Sequence, residues 1–354
     1  MNRFFGAACA LSLSASGALA GGIDRSGQFI GFLFENGGES GGHVQFSAGH
    51  VDPSAVSAGV NDPLGSYSPF SFAFKQNVND KLSFGMIADQ PFGARVAYTN
   101  SALAGGAATV DSEALTFLAR YKLGNGFSIH GGLRAQQSSG TITTRFGAIP
   151  ARLSGSASWA VAPVIGVAYE RPDIAMSIAL TYSGALTNNF TGTENFTPTT
   201  WQIKWPESLN LEFQTGIAAN TLVFGSIRHV RWAGFNLTTA GAGAGLGGIP
   251  RTYVNFTGNT TTYSLGVGRK FNETWSGAVT FGYEAPGTRP TTTALAPTTG
   301  TSSVGVGVTY TSGNAKLTAG VTYAKLGNQT FAGGAFNWND NKAIGAGLRL
   351  GFDF

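Results

Sequence analysis

The sequence predicts an all-β fold: a transmembrane, antiparallel, up-and-down barrel of about fourteen strands, with a short N-terminal segment in its lumen. Three observations lead there. Charged residues make up 11% of the chain, against about 25% in ordinary soluble domains, and Gly supplies 52 of 354 residues, about twice the usual share. Beyond the first twenty residues no apolar run reaches the roughly 18 residues that a membrane-crossing helix requires. Instead, apolar residues recur at every second position, the period of a strand with one face in lipid and the other in a polar lumen.

The N-terminus reads as a secretory leader. Arg3 is followed by an apolar stretch from Phe4 to about Leu13 and by the small-x-small ending Ala18-Leu19-Ala20, which predicts cleavage before Gly21 and leaves residues 1–20 as a signal peptide. The only cysteine, Cys9, lies inside that leader, so a mature chain would have neither a disulfide nor a thiolate metal site. The formal charge of +4 includes no basic run, and nucleic acid is not an implied partner.

Residues 21–42 precede the first alternating strand. They contain Phe29-Ile30-Gly31-Phe32-Leu33-Phe34, an apolar hexad with two open readings: a segment folded into the lumen, or the beginning of a longer first strand. Residues 43–354 read as the barrel. Its strands are marked by Val44 and Phe46; Phe70, Phe72 and Phe74; Leu82, Phe84 and Met86; Leu115, Phe117, Tyr121 and Leu123; and Phe127, Ile129 and Leu133. Then come Trp159, Val161, Ile165, Val167 and Tyr169; Ile174, Met176, Ile178, Leu180 and Tyr182; Leu209, Leu211, Phe213 and Ile217; and a less regular strand from Leu222 to Arg231. The C-terminal strands alternate most strictly. They carry Tyr263, Leu265 and Val267; Trp275, Val279, Phe281 and Tyr283; Val304, Val306, Val308 and Tyr310; Leu317, Ala319, Val321 and Tyr323; and Ile344, Ala346, Leu348, Leu350, Phe352 and Phe354.

The connections give an independent check. Short turns near residues 77–80, 124–126, 170–173, 218–220, 271–273 and 312–314 alternate with long Gly/Thr/Asn-rich stretches, as periplasmic turns and outer loops must in such a barrel. Two prolines disturb the pattern. Pro163 falls in mid-strand, where a bulge is expected, and Pro91 breaks the third strand.

Catalytic and metal chemistry leave no signature. His43, His50, His130 and His229 lie on three predicted strands without a second ligand at metal spacing. No nucleophile-base arrangement or paired carboxylates sit at a strand end. The run Gly243-Ala244-Gly245-Leu246-Gly247-Gly248 satisfies G-x-G-x-x-G, but no helical pattern follows it. The expectation is a protein that is not an enzyme and takes no metal or cofactor.

On these strands the chain resembles the FadL/TodX-like outer-membrane transporters of long-chain fatty acids and aromatic hydrocarbons. The most specific pieces are Asp89-Gln90-Pro91-Phe92-Gly93, followed by Tyr98, and the pair Trp205-Pro206-Glu207-Ser208 with Trp232-x-x-Phe235. The N-terminal segment is shorter than that family's lumenal hatch and lacks its Asn-Pro-Ala motif. The resemblance implies passive uptake of a hydrophobic small molecule, with Pro91, Phe92 and Gly93 at a lateral-gate kink, although an ordinary bulge remains the alternative at those positions. The departure at the hatch keeps the family's ligand site from being carried over. On the lumenal reading of the hexad, residues 21–42 are a short hatch-like segment in which Phe29, Ile30, Phe32, Leu33 and Phe34 make the apolar ligand contacts and Arg25 is the nearest cation for a carboxylate. The implied setting is the outer membrane, as a monomer among lipid and lipopolysaccharide, with Phe354 as the C-terminal aromatic read by the assembly machinery. A non-specific aqueous porin and a structural or adhesive surface barrel are the alternatives. The lumenal Arg120, Arg134 and Arg349 could also attract a carboxylate.

Overall fold

The computed structural model describes residues 23–287 and 293–354; the leader and its cleavage point lie outside them. Alternation dictates strands, and the chain forms β1 (Gly42–Val56), β2 (Phe70–Asn77), β3 (Leu82–Asp89), β4 (Gly93–Ala97), β5 (Ala107–Gly124), β6 (Phe127–Phe146) and β7 (Ile149–Ala157). These are followed by β8 (Ala160–Arg171), β9 (Met176–Ser183), β10 (Leu186–Glu194), β11 (Thr197–Trp205), β12 (Ser208–Ala218), β13 (Thr221–Val230), β14 (Asn236–Thr239) and β15 (Arg251–Asn255). The chain ends with β16 (Thr260–Lys270), β17 (Trp275–Glu284), β18 (Thr301–Ser312), β19 (Ala315–Leu326), β20 (Gln329–Phe331) and β21 (Phe336–Asp353).

Fourteen of these close a circle of antiparallel pairs, in the order β1, β2, β3, β5, β6, β8, β9, β12, β13, β16, β17, β18, β19 and β21, and β21 returns to β1. Closure leaves no sheet edge open to lipid. The six short turns fall where the spacing predicts them, at the rim where β1 begins and β21 ends. The long connections of the opposite rim carry further strands: β7, β10 and β11 continue the wall upward, and β14 pairs with β15 apart from it.

The outward face is apolar. Val304, Val306 and Val308 of β18, with Leu348 and Leu350 of β21, stand exposed, whereas the interleaved Thr309, Thr318 and Arg349 are buried in the lumen. Exposed aromatics ring both borders: Tyr263, Tyr283 and Tyr323 towards the long-loop rim, and Phe127, Trp275, Tyr310 and Phe354 towards the short-turn rim. Between these girdles the run from Ile344 to Phe354, at about 3.3 Å per residue and a tilt of about 40°, rises roughly 25 Å, the height of a barrel's lipid belt.

Pro163 makes no bulge. β6 and β8 pair through Leu133–Pro163 without a change of register. The proline sits where β9 leaves β8, and its carbonyl accepts the N–H of Gly184 at 2.9 Å. Its missing donor therefore faces a neighbour that is already departing, and the ladder loses little.

Candidate functional site

The third wall strand is interrupted where the sequence places Pro91. Asp89 pairs with Ala114, and pairing resumes with Gly93 opposite Asp111. Four residue steps on one side thus face three on the other, an insertion of one residue of the bulge kind. The side chain of Ser112 replaces the lost ladder, accepting the Phe92 N–H at 2.8 Å and donating to the Phe92 carbonyl at 2.7 Å. The opposite edge of the interruption has no wall strand, because β2 begins only at Phe70.

The N-terminal segment occupies that edge from inside. Arg25 N–H donates to the Pro91 carbonyl at 2.7 Å, Gly93 N–H donates to the Ile23 carbonyl at 2.8 Å, and Asp24 stands opposite Phe92 as an antiparallel bridge. Arg25 Nε donates to the Gly93 carbonyl at 3.0 Å, and its guanidinium lies 3.2 Å from the centroid of the Tyr67 ring. Ser26 donates to the Asp89 carboxylate. A cavity of about 90 Å³ remains between this seal and the wall, lined by Arg25, Phe29, Pro69, Phe70, Gln90 and Arg349 among others.

Further along, the hexad lies within the barrel, not in β1. Gly31–Phe34 form one turn of 3-10 helix, and Ile30, Leu33 and Phe34 pack on Leu118, Val164, Ala168 and Ala179. Gly85 of β3 makes room for it, since a Cβ there would stand 2.9 Å from both Leu33 and Phe32. Lumenal polar residues hold the segment: Arg228 Nε donates to Asp24 at 2.9 Å, Asn210 donates to the Gly27 carbonyl at 2.8 Å, Glu212 accepts the Ile30 N–H at 3.0 Å, and Arg134 donates to Gln28. The candidate lumenal cations are thus already engaged. Arg120 pairs with Glu170 and lies over the Phe34 ring, and Arg349 donates to Ser47 at 3.2 Å.

Above the interruption the aromatic motifs converge. Phe92 stacks on Trp205 with centroids 4.6 Å apart and meets Trp232 edge-on at 5.7 Å. Phe235 lies 5.7 Å from Trp205 and 5.3 Å from Trp232, and Phe256 closes the group. Trp205 Nε1 donates to Asn188 at 3.0 Å, the partner a buried indole needs. Tyr98 joins the same core and donates to the Ala294 carbonyl at 2.6 Å. Burial pushes its phenol above the ordinary range.

Sequence reasoning missed Ser112, Asp24 and Arg228, whose partners are remote and leave no local signal. It also missed one cluster at the short-turn rim, where ligand atoms of Glu35, His43 and Asp353 lie within 4.8 Å of one another. His43 bonds Asp353 at 2.7 Å, and Lys316 Nζ sits 3.5 Å from Glu35 and 3.3 Å from Asp353. An ammonium already compensates the two carboxylates, and the cluster ties the end of the hexad to the wall.

No family model matches the chain, and no curated protein matches its sequence. Solved structures do match. A FadL homologue from Pseudomonas aeruginosa superposes with a TM-score of 0.74 at 13% identity, covering 97% of this chain and 98% of that one. The toluene transporter TodX of Pseudomonas putida gives 0.64 at 12% identity over 96% and 98%. The CymD monoaromatic hydrocarbon channel gives 0.61 at 15% identity over 94% and 98%. The fold of those structures is the fold of this chain, over nearly its whole length.

Proposed function

We propose that this protein is an outer-membrane channel that passes hydrophobic small molecules, such as long-chain fatty acids, down their gradient and releases them sideways into the membrane at the third-strand interruption. The observation that carries the reading is the wall itself. It carries one extra residue at Pro91, lacks a neighbouring strand there, and is sealed only by a non-covalent N-terminal segment.

The route runs from the outer loops past Phe92, Trp205 and Trp232, beside Phe29, Ile30, Phe32, Leu33 and Phe34, and out between Phe70 and Gln90. Apart from Gln90 at the exit, the side chains named on that path are apolar or aromatic, which suits a cargo whose burial gains roughly 0.8 kcal/mol per methylene. Arg25 reaches a cargo carboxylate once its bonds to Gly93 and Tyr67 are released. A lumen filled by the hexad and its polar anchors fits a selective path better than an aqueous pore. The leader, the lipid belt and the terminal Phe354 support export, insertion among outer-membrane lipid and lipopolysaccharide, and handling by the assembly machinery, with the monomer as the working unit.

The test is uptake of a labelled long-chain fatty acid and of toluene by cells lacking their own porter, with this protein or an empty vector. Uptake of either probe above the vector supports the reading. An assembled barrel that conducts ions yet takes up neither would replace it with a porin.

A further inference from the structure

The aromatic cluster is shut from the outside as well as from below. Trp205, Trp232 and Trp338 have at most 1% of their surface exposed, so a molecule arriving from the loops has to displace something. The β14–β15 hairpin stands out because it forms its own two-stranded sheet, paired in a backbone ladder with no wall strand among the described residues. Its inner face, with Leu237, Leu246 and Tyr253, is buried in the same core as Phe92 and Trp205.

One carboxylate fastens it. Glu194, at the end of β10, is fully buried and accepts the Thr239 hydroxyl at 2.5 Å, the Tyr253 hydroxyl at 2.9 Å and the Gly243 N–H at 3.1 Å. These three donors come from the two strands of the hairpin and the loop joining them. Gly243 is seated so closely that a Cβ would stand 2.7 Å from the Glu194 carbonyl. Asn195, the next residue, adds a bond from its amide to the Ala244 carbonyl at 2.9 Å. These bonds converge on one buried carboxyl group, and all of them are lost together if the hairpin lifts.

From this geometry we infer that Glu194 is a positioning residue that clasps the β14–β15 hairpin as a lid over the aromatic cluster, and that lifting the lid admits the hydrophobic solute. This inference rests on the transport reading above.

Glu194→Ala and Gly243→Val unfasten the lid in different ways. Both are expected to raise potassium chloride leak through planar bilayers and fatty-acid uptake at limiting external concentration, on the order of tenfold for a bistable element that loses its main restraint. Glu194→Cys with Thr239→Cys places a removable lock at the clasp. Oxidised, it is expected to abolish uptake; reduced, to resemble Glu194→Ala. Reversible blocking of this kind is not expected of a residue that only supports folding. The inference is overturned if the disulfide forms and uptake is the same before and after reduction, or if Glu194→Ala and Gly243→Val assemble with leak and uptake at the wild-type level or below it. If the wild type takes up no apolar probe, the transport reading fails, while leak through the locked and unlocked protein still reports on the clasp.

Discussion

Asp24 and Arg228, 204 positions apart in the chain, are joined by a 2.9 Å bond with both side chains buried in the lumen. Arg228 also donates to Ser208 and Asn210, and Asn210 donates onward to Gly27, so this pair anchors the seal of the wall interruption to the far side of the barrel. Removing one partner of a buried ion pair costs about 3–5 kcal/mol, because the other charge stays buried and uncompensated. No wall strand pairs depend on Asp24. Asp24→Ala should therefore free the N-terminal segment without melting the barrel, seen as protease cleavage within residues 23–36 and raised ion leak. Unchanged protection would mean that the segment is held mainly by its apolar contacts.

Those apolar contacts have their own handle at Gly85. Gly85→Leu puts a side chain where Phe32 and Leu33 now sit, 2.9 Å from a Cβ at that position. The expected result is displacement of the hexad, with increased conductance and normal heat-modifiable migration of the barrel. A silent substitution would show that the hexad can shift aside within the lumen.

Much of the wall is legible in the sequence because lipid on one side and a polar lumen on the other impose a period of two on every strand. Val304 to Tyr310 and Ile344 to Phe354 state it without ambiguity, and the short turns count the strands. The kink was legible through Pro91, and the aromatic motifs through Trp205 and Trp232. Their convergence on Phe92 was not, since stacking across more than a hundred residues has no period. Nor could alternation say whether the hexad extends β1 or enters the lumen, because both readings need apolar residues. The answer depends on Glu212, Asn210 and Arg134, which look like ordinary lumen-facing polar residues until the barrel closes.

Trp205 tests the aromatic path. It stacks on Phe92 at 4.6 Å and satisfies Asn188. Trp205→Ala should cost about 3–5 kcal/mol from the cavity, and Asn188 loses the donor to its Oδ1 while its amide still donates to the Gln136 and Ser158 carbonyls. A lower melting temperature with weaker fatty-acid binding, followed by quenching of the remaining tryptophans, is expected. Lower stability at unchanged affinity would make Trp205 structural only.

Phe354 separates assembly from stability. Its N–H and carbonyl each bond Gly42 at 2.9 Å through the backbone, and the ring is 37% exposed, so Phe354→Ala should leave the melting temperature of the folded barrel close to wild type. If the assembly machinery reads the ring, the yield of folded protein in cells falls sharply all the same. Equal losses in both would assign the ring to packing alone.

The most direct test of lateral release is deletion of Pro91. With one residue removed, three steps from Asp89 to Gly93 face the three from Ala114 to Asp111, and Phe92 comes to lie opposite Ser112, so the third strand can run unbroken. Lateral release predicts that this variant assembles, keeps its fatty-acid binding and takes up no more labelled fatty acid than an empty vector. Uptake at the wild-type rate through an assembled, straightened barrel would contradict it.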